Sequence, residues 1–263
     1  MLTLRYLKKE ISNTLLPMPS KESRELYLIE KFIPVLFEGQ SCGLLQLGPP
    51  APDIIITVHG KRIGIEQTDI VFDSSIVMRE SKQARILSKA QALYESRLQL
   101  PIHVTTDFLD EACWERVNIE QVAAFLANKV AQYVSSNMDN IICENHFNIK
   151  IKKSESKYVD KIGVSYFEKI STSAWSPITG FCVPDISVSM VQNIIDRKNK
   201  HINGYLISCD EVWLLMTETG APSSYFSDFE KLQPHTFESG FAKTMIGRVS
   251  KGELLMLKTT PQL

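Results

Sequence analysis

The sequence predicts an α/β (α+β) domain in which helices flank a mixed central β-sheet. Patterns with helical spacing alternate with short apolar strand patterns along most of the chain. Near residue 60, two apolar β-branched runs on either side of a Gly-containing turn predict a β-hairpin. The composition, 44% hydrophobic and 22% charged over 263 residues, is typical of a globular protein with a full core. We therefore predict one domain over residues 1–263, with a peripheral insertion around residues 140–180.

The first predicted element is an amphipathic helix over residues 21–37. Its apolar positions recur at helical spacing: Leu26, Ile29, Phe32, Ile33 and Leu36. Pro34 weakens the prediction for the last turn, because proline cannot donate the helical hydrogen bond. Glu30 shares the helix face of Leu26 and Ile33, so we expect it to point toward the core side. The alternative is a boundary glutamate that flanks the apolar stripe.

The predicted hairpin follows a loop rich in glycine and proline. Asp53 opens the first apolar run, a His-Gly-Lys turn follows, and the second run ends at Glu66. A hairpin brings the start of its first strand beside the end of its second, so Asp53 and Glu66 are predicted neighbours. Two carboxylates at the open end of a sheet suit a hard divalent cation such as Mg²⁺. The alternative makes Asp53 a turn residue after Pro52 and Glu66 a strand-end charge facing water.

The rest of the chain continues the alternation of helix and strand patterns. Helices are predicted over 81–98, 119–135 and 187–200, single strands over 100–108, 211–216 and 252–258, and a pair of strands within 147–166. The run over 211–216 is apolar throughout and predicts a buried strand. We therefore expect the sheet to mix strands from both halves of the chain.

Composition and charge exclude several classes of protein. No apolar run approaches the ~20 residues of a membrane span, so no membrane partner is expected. The first ten residues lack the pattern of a secretory signal, and the five cysteines are scattered, which together predict a cytoplasmic protein with reduced thiols. The net charge of −1 argues against a broad nucleic-acid footprint but leaves local ones, such as the basic run 197–200. A zinc site at Cys143-x-x-His146 lacks a second Cys/His pair.

Residues 52–68 resemble the PD-(D/E)xK nuclease superfamily, in which a Pro-Asp pair begins one strand and Glu-x-Lys ends the next. The resemblance implies a restriction-endonuclease-like core. Asp53 and Glu66 match the two acidic positions, and Gln67 matches the x position, whose backbone carbonyl helps to hold the metal. Thr68 stands at the lysine position and carries no charge.

The same resemblance implies roles for two residues outside the motif. A glutamate of the first helix often reaches the metal in this superfamily, and Glu30 fits that role better than Glu25. A lysine relocated to the helix over 81–98 could replace the missing one, with Lys82 as the first candidate and a solvent-facing lysine as the alternative. The implied catalytic residues are Asp53, Glu66 and Lys82, and the implied ligands of Mg²⁺ or Mn²⁺ are Glu30, Asp53, Glu66 and Gln67.

The second half of the chain carries a looser resemblance. A helix with paired lysines (residues 194–200) precedes a Trp-Leu-Leu strand (residues 211–216), as in a group of nuclease-like proteins from bacteria and phages. Those proteins also tend to show Ile-Glu-x-Thr in place of Glu-x-Lys, as residues 65–68 do here.

Three functions remain open at this point. The leading hypothesis is a metal-dependent phosphodiesterase that cleaves nucleic acid, with DNA as the first choice. The second is a catalytically degenerate nuclease-fold module that binds nucleic acid or a protein partner. The third is a small-molecule-binding or structural α/β protein in which the acidic pair is incidental. The sequence leaves open whether the chain forms a homodimer.

Overall fold

The structure is a computed structural model that describes residues 20–38, 43–144, 146–178, 180 and 183–261. The N-terminal residues examined for a secretory signal lie outside this range, as do Cys42 and Cys182. The helices are α1 Lys21–Leu36, α2 Ser74–Glu95, α3 Ile119–Ser136, α4 Met138–Glu144, α5 Val188–Asn199 and α6 Ile202–Tyr205. The strands are β1 Gly43–Leu45, β2 Ile54–Val58, β3 Lys61–Asp69, β4 His103–Phe108, β5 His146–Lys150, β6 Val159–Ser165, β7 Ala174–Ile178, β8 Glu211–Glu218, β9 Thr236–Glu238, β10 Lys243–Arg248, β11 Glu253–Met256 and β12 Lys258–Thr260.

The largest sheet has six strands in the order β1-β2-β3-β8-β10-β11. β1 to β3 form an antiparallel meander, β3, β8 and β10 run parallel, and β11 returns antiparallel to β10. This mixed sheet, with helices packed on it, confirms the predicted α/β class. The 141 residues between β3 and β8 in the sequence (70–210) lie outside this sheet, so the structure pairs strands that are distant in the chain.

The β2–β3 hairpin turns through His59 and Gly60, whose φ angles of 50° and 79° are both positive. Positive φ at both central residues is the geometry of a type I′ turn, which matches the twist of the strands that it joins. Ile54 pairs with Ile65, so the next antiparallel register position places Asp53 beside Glu66. The turn therefore places these two residues beside each other, as predicted.

Two apolar layers cover the two faces of the six-stranded sheet. On one face α1 packs Ile29 and Phe32 against β2, β3, β8 and β10. The approach is close at Gly247, where a Cβ atom would lie 2.5 Å from the Phe32 ring. On the other face α5 packs Val191, Ile194 and Ile195 against the sheet. Each helix is thus fixed in rotation, and this rotation decides which of its polar residues reach the edge of the sheet.

A second sheet of four strands, in the order β5-β6-β4-β7, carries a separate apolar core under α2 and α3. The segment predicted as a peripheral insertion, 140–180, contributes β5, β6 and β7, whereas β4 and both covering helices precede it. α2 begins seven residues before its predicted start, because the side chain of Asp73 caps it by accepting a hydrogen bond from the Ser75 amide (2.7 Å). No helix of the described residues is long and apolar enough to cross a membrane.

Candidate active site

Asp53 and Glu66 line one cavity of about 730 Å³ at the end of the β2–β3 hairpin. Its walls come from the loop before β2, from β3, and from the end of α5 and the start of α6. Glu66 is buried, and Asp53 is partly buried and accepts a hydrogen bond from the backbone amide of Gln67 (2.8 Å). The close approach of the strand to the loop requires glycine at 64, where a Cβ atom would lie 2.6 Å from Pro52. The structure thus brings the predicted acidic pair together.

A lysine that is distant from Glu66 in the sequence adds a positive charge to the cavity. The ammonium of Lys198, in the last turn of α5, donates a hydrogen bond to Oε1 of Glu66 at 2.5 Å. Lys198 follows the buried residues Ile194 and Ile195 by four and three positions, so it continues the sheet-facing stripe of the helix. That spacing is the signal in the sequence that identifies this lysine rather than its neighbours.

Tyr205 adds a buried hydroxyl to the same cavity. Burial raises the pKa of its phenol, and the charge of Glu66 together with their hydrogen bond raises it further. The phenol therefore keeps its proton at neutral pH and can act only as a donor to the carboxylate. The looser resemblance includes Tyr205 between the helix with paired lysines and the Trp-Leu-Leu strand, but it indicates no role for this residue.

The electrostatics of the cavity depend first on burial and then on the negative charge of Glu66. Burial raises the pKa of Asp53 from 3.8 to about 7, and the negative charge of Glu66 adds to this effect. The Gln67 amide and the ammonium of Lys198 lower the pKa but do not offset it. The raised pKa of Asp53 means that the pair resists a second negative charge up to about pH 7, and a bound cation would favour the charged form.

The buried acidic residue of α1 is Glu25 and not Glu30. The buried side chains of α1 are Glu25, Leu28, Ile29 and Phe32, whereas Glu30 is exposed. Ile29 and Phe32 are buried as predicted, but the buried face extends toward Glu25 and Leu28 and not toward Glu30. Glu25 raises the pKa of Asp53 through its charge and pairs with Lys21 (3.2 Å). The prediction of Glu30 as a ligand fails because its side chain points to solvent.

Lys82 is likewise engaged elsewhere. Its ammonium donates hydrogen bonds to the backbone carbonyls of Trp114 (2.7 Å) and Glu115 (3.0 Å), beside the second sheet. α2 places Lys82 on the side that faces α3 and the turn before it, and not on the side of the hairpin. The lysine that contacts the acidic pair is Lys198.

Gln67 and Thr68 project to opposite faces of β3, as strand geometry requires. The Gln67 side chain donates to Asp69 (2.9 Å) and Thr217 (2.7 Å) within the sheet. Thr68 lies on the same face as Glu66 and lines the cavity. The lysine position of the motif thus faces the site but carries only a hydroxyl, and α5 supplies the positive charge instead.

The residues present fit a hard divalent cation held by few protein groups. Asp53 and Glu66 supply carboxylate oxygens, and the raised pKa of Asp53 marks a pair that a cation would stabilise. No group of three or more His, Cys, Asp or Glu side chains in the described part of the chain is arranged to hold a metal. Any ion here would therefore depend on backbone oxygens and water for its remaining ligands, as Mg²⁺ commonly does. For the zinc alternative, the ring Nδ1 of His146 lies 2.7 Å from the Ser165 hydroxyl, and the side chain of Cys143 lies outside the described residues.

Comparisons of this chain with protein-family models, with curated proteins and with solved structures gave no match.

Asp53→Asn should stabilise the metal-free protein in a pH-dependent way. The native carboxyl keeps its proton to about pH 7, whereas the unfolded chain releases it near 3.8, so wild-type stability is lost as pH rises between these values. We expect the variant to gain about 1–2 kcal/mol over wild type at pH 8 relative to pH 5, a figure discounted because Asp53 is only partly buried. Urea unfolding in EDTA at both pH values measures the difference. The exposed Asp160→Asn serves as the control, and an equal effect of Asp53→Asn at both pH values would contradict the prediction.

Proposed function

We propose that this protein is a metal-dependent phosphodiesterase that cleaves nucleic acid, with DNA as the expected substrate. The observation that carries the proposal is the convergence of Asp53, Glu66 and the Lys198 ammonium in one cavity. Two carboxylates and one lysine are the charge pattern of the PD-(D/E)xK nucleases, and here the lysine comes from α5. The arrangement of α1, the β2–β3 hairpin and the parallel β8 supports a restriction-endonuclease-like core for the six-stranded sheet.

In this proposal each side chain has a role that follows from its position. Asp53 and Glu66, with the Gln67 carbonyl, would hold Mg²⁺ or Mn²⁺, which supplies a water of lowered pKa and offsets charge on the attacked phosphate. The ammonium of Lys198 provides positive charge for the developing phosphate charge, as electrostatic preorganisation requires. Arg197 and Lys200, which also line the cavity, neutralise flanking phosphates.

The second candidate is a nuclease-fold module that binds nucleic acid or a protein partner without cleaving. The contact between Lys198 and Glu66 favours it, because an ammonium at 2.5 Å already neutralises one carboxylate of the pair. In an active enzyme the metal must share or replace this contact. A direct measurement of cleavage separates the two candidates.

The test is a cleavage assay on a set of single-stranded, flap-containing and duplex DNA with Mg²⁺, Mn²⁺ or EDTA, in which cleavage of any one substrate counts. We expect metal-dependent cleavage by the wild type and a loss of at least about 10³-fold in Asp53→Asn and Glu66→Gln, because each removes a carboxylate from a site with few ligands. Asp160→Asn, on the surface, should retain full activity. A wild type that folds and binds DNA but shows no metal-dependent cleavage would support the non-catalytic module instead.

A further inference from the structure

A second and larger cavity, of about 1030 Å³, adjoins the acidic one. It lies between the end of β3, the first turns of α2 and the length of α5, and we call it the α2–α5 groove. Thr68 and Arg197 line both cavities, so the groove opens directly onto the acidic site. Any extended ligand whose reacting group lies at Asp53 and Glu66 can continue into it.

The groove presents an aromatic ring to solvent on a firmly held backbone. Phe72 is 47% exposed, and the neighbouring Val77 is 38% exposed. The Phe72 amide donates to the Ser223 carbonyl (2.8 Å), and two residues earlier Ile70 donates to Thr217 (2.9 Å). A fixed aromatic face costs little conformational entropy when a planar group stacks on it.

The polar groups of the groove suit a polyanion better than an apolar peptide. Hydroxyls of Ser74, Ser81 and Ser187 and the amide of Asn193 line its walls, and all four can donate to phosphate oxygens. Of its two charged residues, Asp69 turns its side chain to the face of Gln67 and pairs with Arg24 (2.5 Å). Arg197 is exposed and forms no ion pair with a described residue, so its guanidinium is available to an anion in the groove.

These features favour a single-stranded nucleic acid over a duplex as the ligand of the groove. A base can stack on a protein ring only when one of its faces is free, which a continuous duplex does not allow. The neutral donors of the groove and Arg197 can contact the phosphates of a flexible nucleic-acid strand without recognising its base sequence. The ten-residue span of α5 from Ser187 to Arg197 rises about 15 Å, long enough for a short run of nucleotides.

We propose that the α2–α5 groove binds single-stranded nucleotides next to the scissile phosphate, with a base stacked on Phe72 and Arg197 on the phosphate between the two cavities. The proposal rests on the proposed function, since it takes the acidic cavity as the site of cleavage. It assigns the substrate class as a single strand, a frayed end or a single-stranded flap, and not an intact duplex.

The test measures binding of the full chain to a labelled oligothymidylate and to a blunt hairpin duplex, in EDTA so that no cleavage occurs. We expect preference for the oligothymidylate, a loss of roughly 5- to 100-fold in Phe72→Ala, and near wild-type binding in Phe72→Tyr. Phe167→Ala is the matched control, because Phe167 is equally exposed (52%) but lies after β6 of the second sheet.

Three results would overturn the proposal: equal oligothymidylate binding by wild type and Phe72→Ala, no oligothymidylate binding by the wild type, or a change in oligomeric state in Phe72→Ala without a change in DNA binding. The outcome is separable from that of the proposed function. Binding through Phe72 without any metal-dependent cleavage supports the groove and rejects the enzyme. Cleavage of duplex DNA at equal rates by wild type and Phe72→Ala supports the enzyme and rejects the groove.

Discussion

Replacing Lys198 with methionine should reduce metal-dependent cleavage by roughly 10²–10³-fold, because it removes the ammonium that contacts Glu66. Methionine keeps most of the unbranched apolar stem, so the packing of α5 on the sheet should change little. The affinity for Mg²⁺, measured by titration, should stay unchanged or increase, since Lys198 competes with a cation for Glu66. A fall in activity without a fall in metal affinity identifies a role in catalysis and not in metal binding.

The matched control for this experiment is Lys82→Met. Lys82 was the lysine predicted from the sequence, but its ammonium donates to the carbonyls of Trp114 and Glu115. This variant should cleave at the wild-type rate. Loss of cleavage in Lys82→Met, with cleavage retained in Lys198→Met, would show that the catalytic lysine is Lys82 and not Lys198.

Arg248→Met should lower the free energy of unfolding by about 3–5 kcal/mol, because it leaves a buried carboxylate without its partner. Glu218 is fully buried, and Nε of Arg248 donates to its Oε2 at 2.5 Å across the parallel strands β8 and β10. Arg248 also donates to the Phe226 carbonyl (3.0 Å), and the Phe226 amide donates to Glu218 (3.1 Å). One ion pair thus holds two strands and the following loop.

A double variant separates the charge from the packing. Glu218→Gln combined with Arg248→Met should recover most of the lost stability, because glutamine is neutral and still accepts from the Phe226 amide. Lys231→Met, which breaks an exposed ion pair with Asp185, should lower the free energy of unfolding much less than Arg248→Met does. Urea unfolding measures all three. A loss in Arg248→Met no larger than that in Lys231→Met would show that the buried pair contributes little.

Local sequence patterns were sufficient to predict the helices and strands in which buried residues recur at a regular spacing. The structure confirms the helices predicted over 21–37, 119–135 and 187–200, with ends that differ by one residue at most. The hairpin is also confirmed, and with it the neighbourhood of Asp53 and Glu66, because a two-residue turn sets the register of both strands. These features depend on contacts between residues close in the chain.

The prediction missed β10, although it is a central strand of the large sheet. Lys243, Gly247 and Arg248 interrupt the apolar pattern that indicates a buried strand. Each exception has its reason in a distant partner: Lys243 lies over the Trp213 ring, Gly247 makes room for Phe32, and Arg248 neutralises Glu218. A pattern read within one segment cannot contain those partners.

The same limit separates the two halves of the candidate site. The acidic pair could be predicted because the hairpin is local, but Lys198 lies 132 residues from Glu66 and reaches it only because α5 packs on the sheet beside β3. Glu25 is buried in place of Glu30 because the buried face of α1 extends from Ile29 and Phe32 toward Leu28, on the side that the apolar stripe alone did not resolve. Turn chemistry and side-chain period act over a few residues and can be read from the chain, whereas the rotation of a helix and the meeting of distant segments are decided by packing in the folded core.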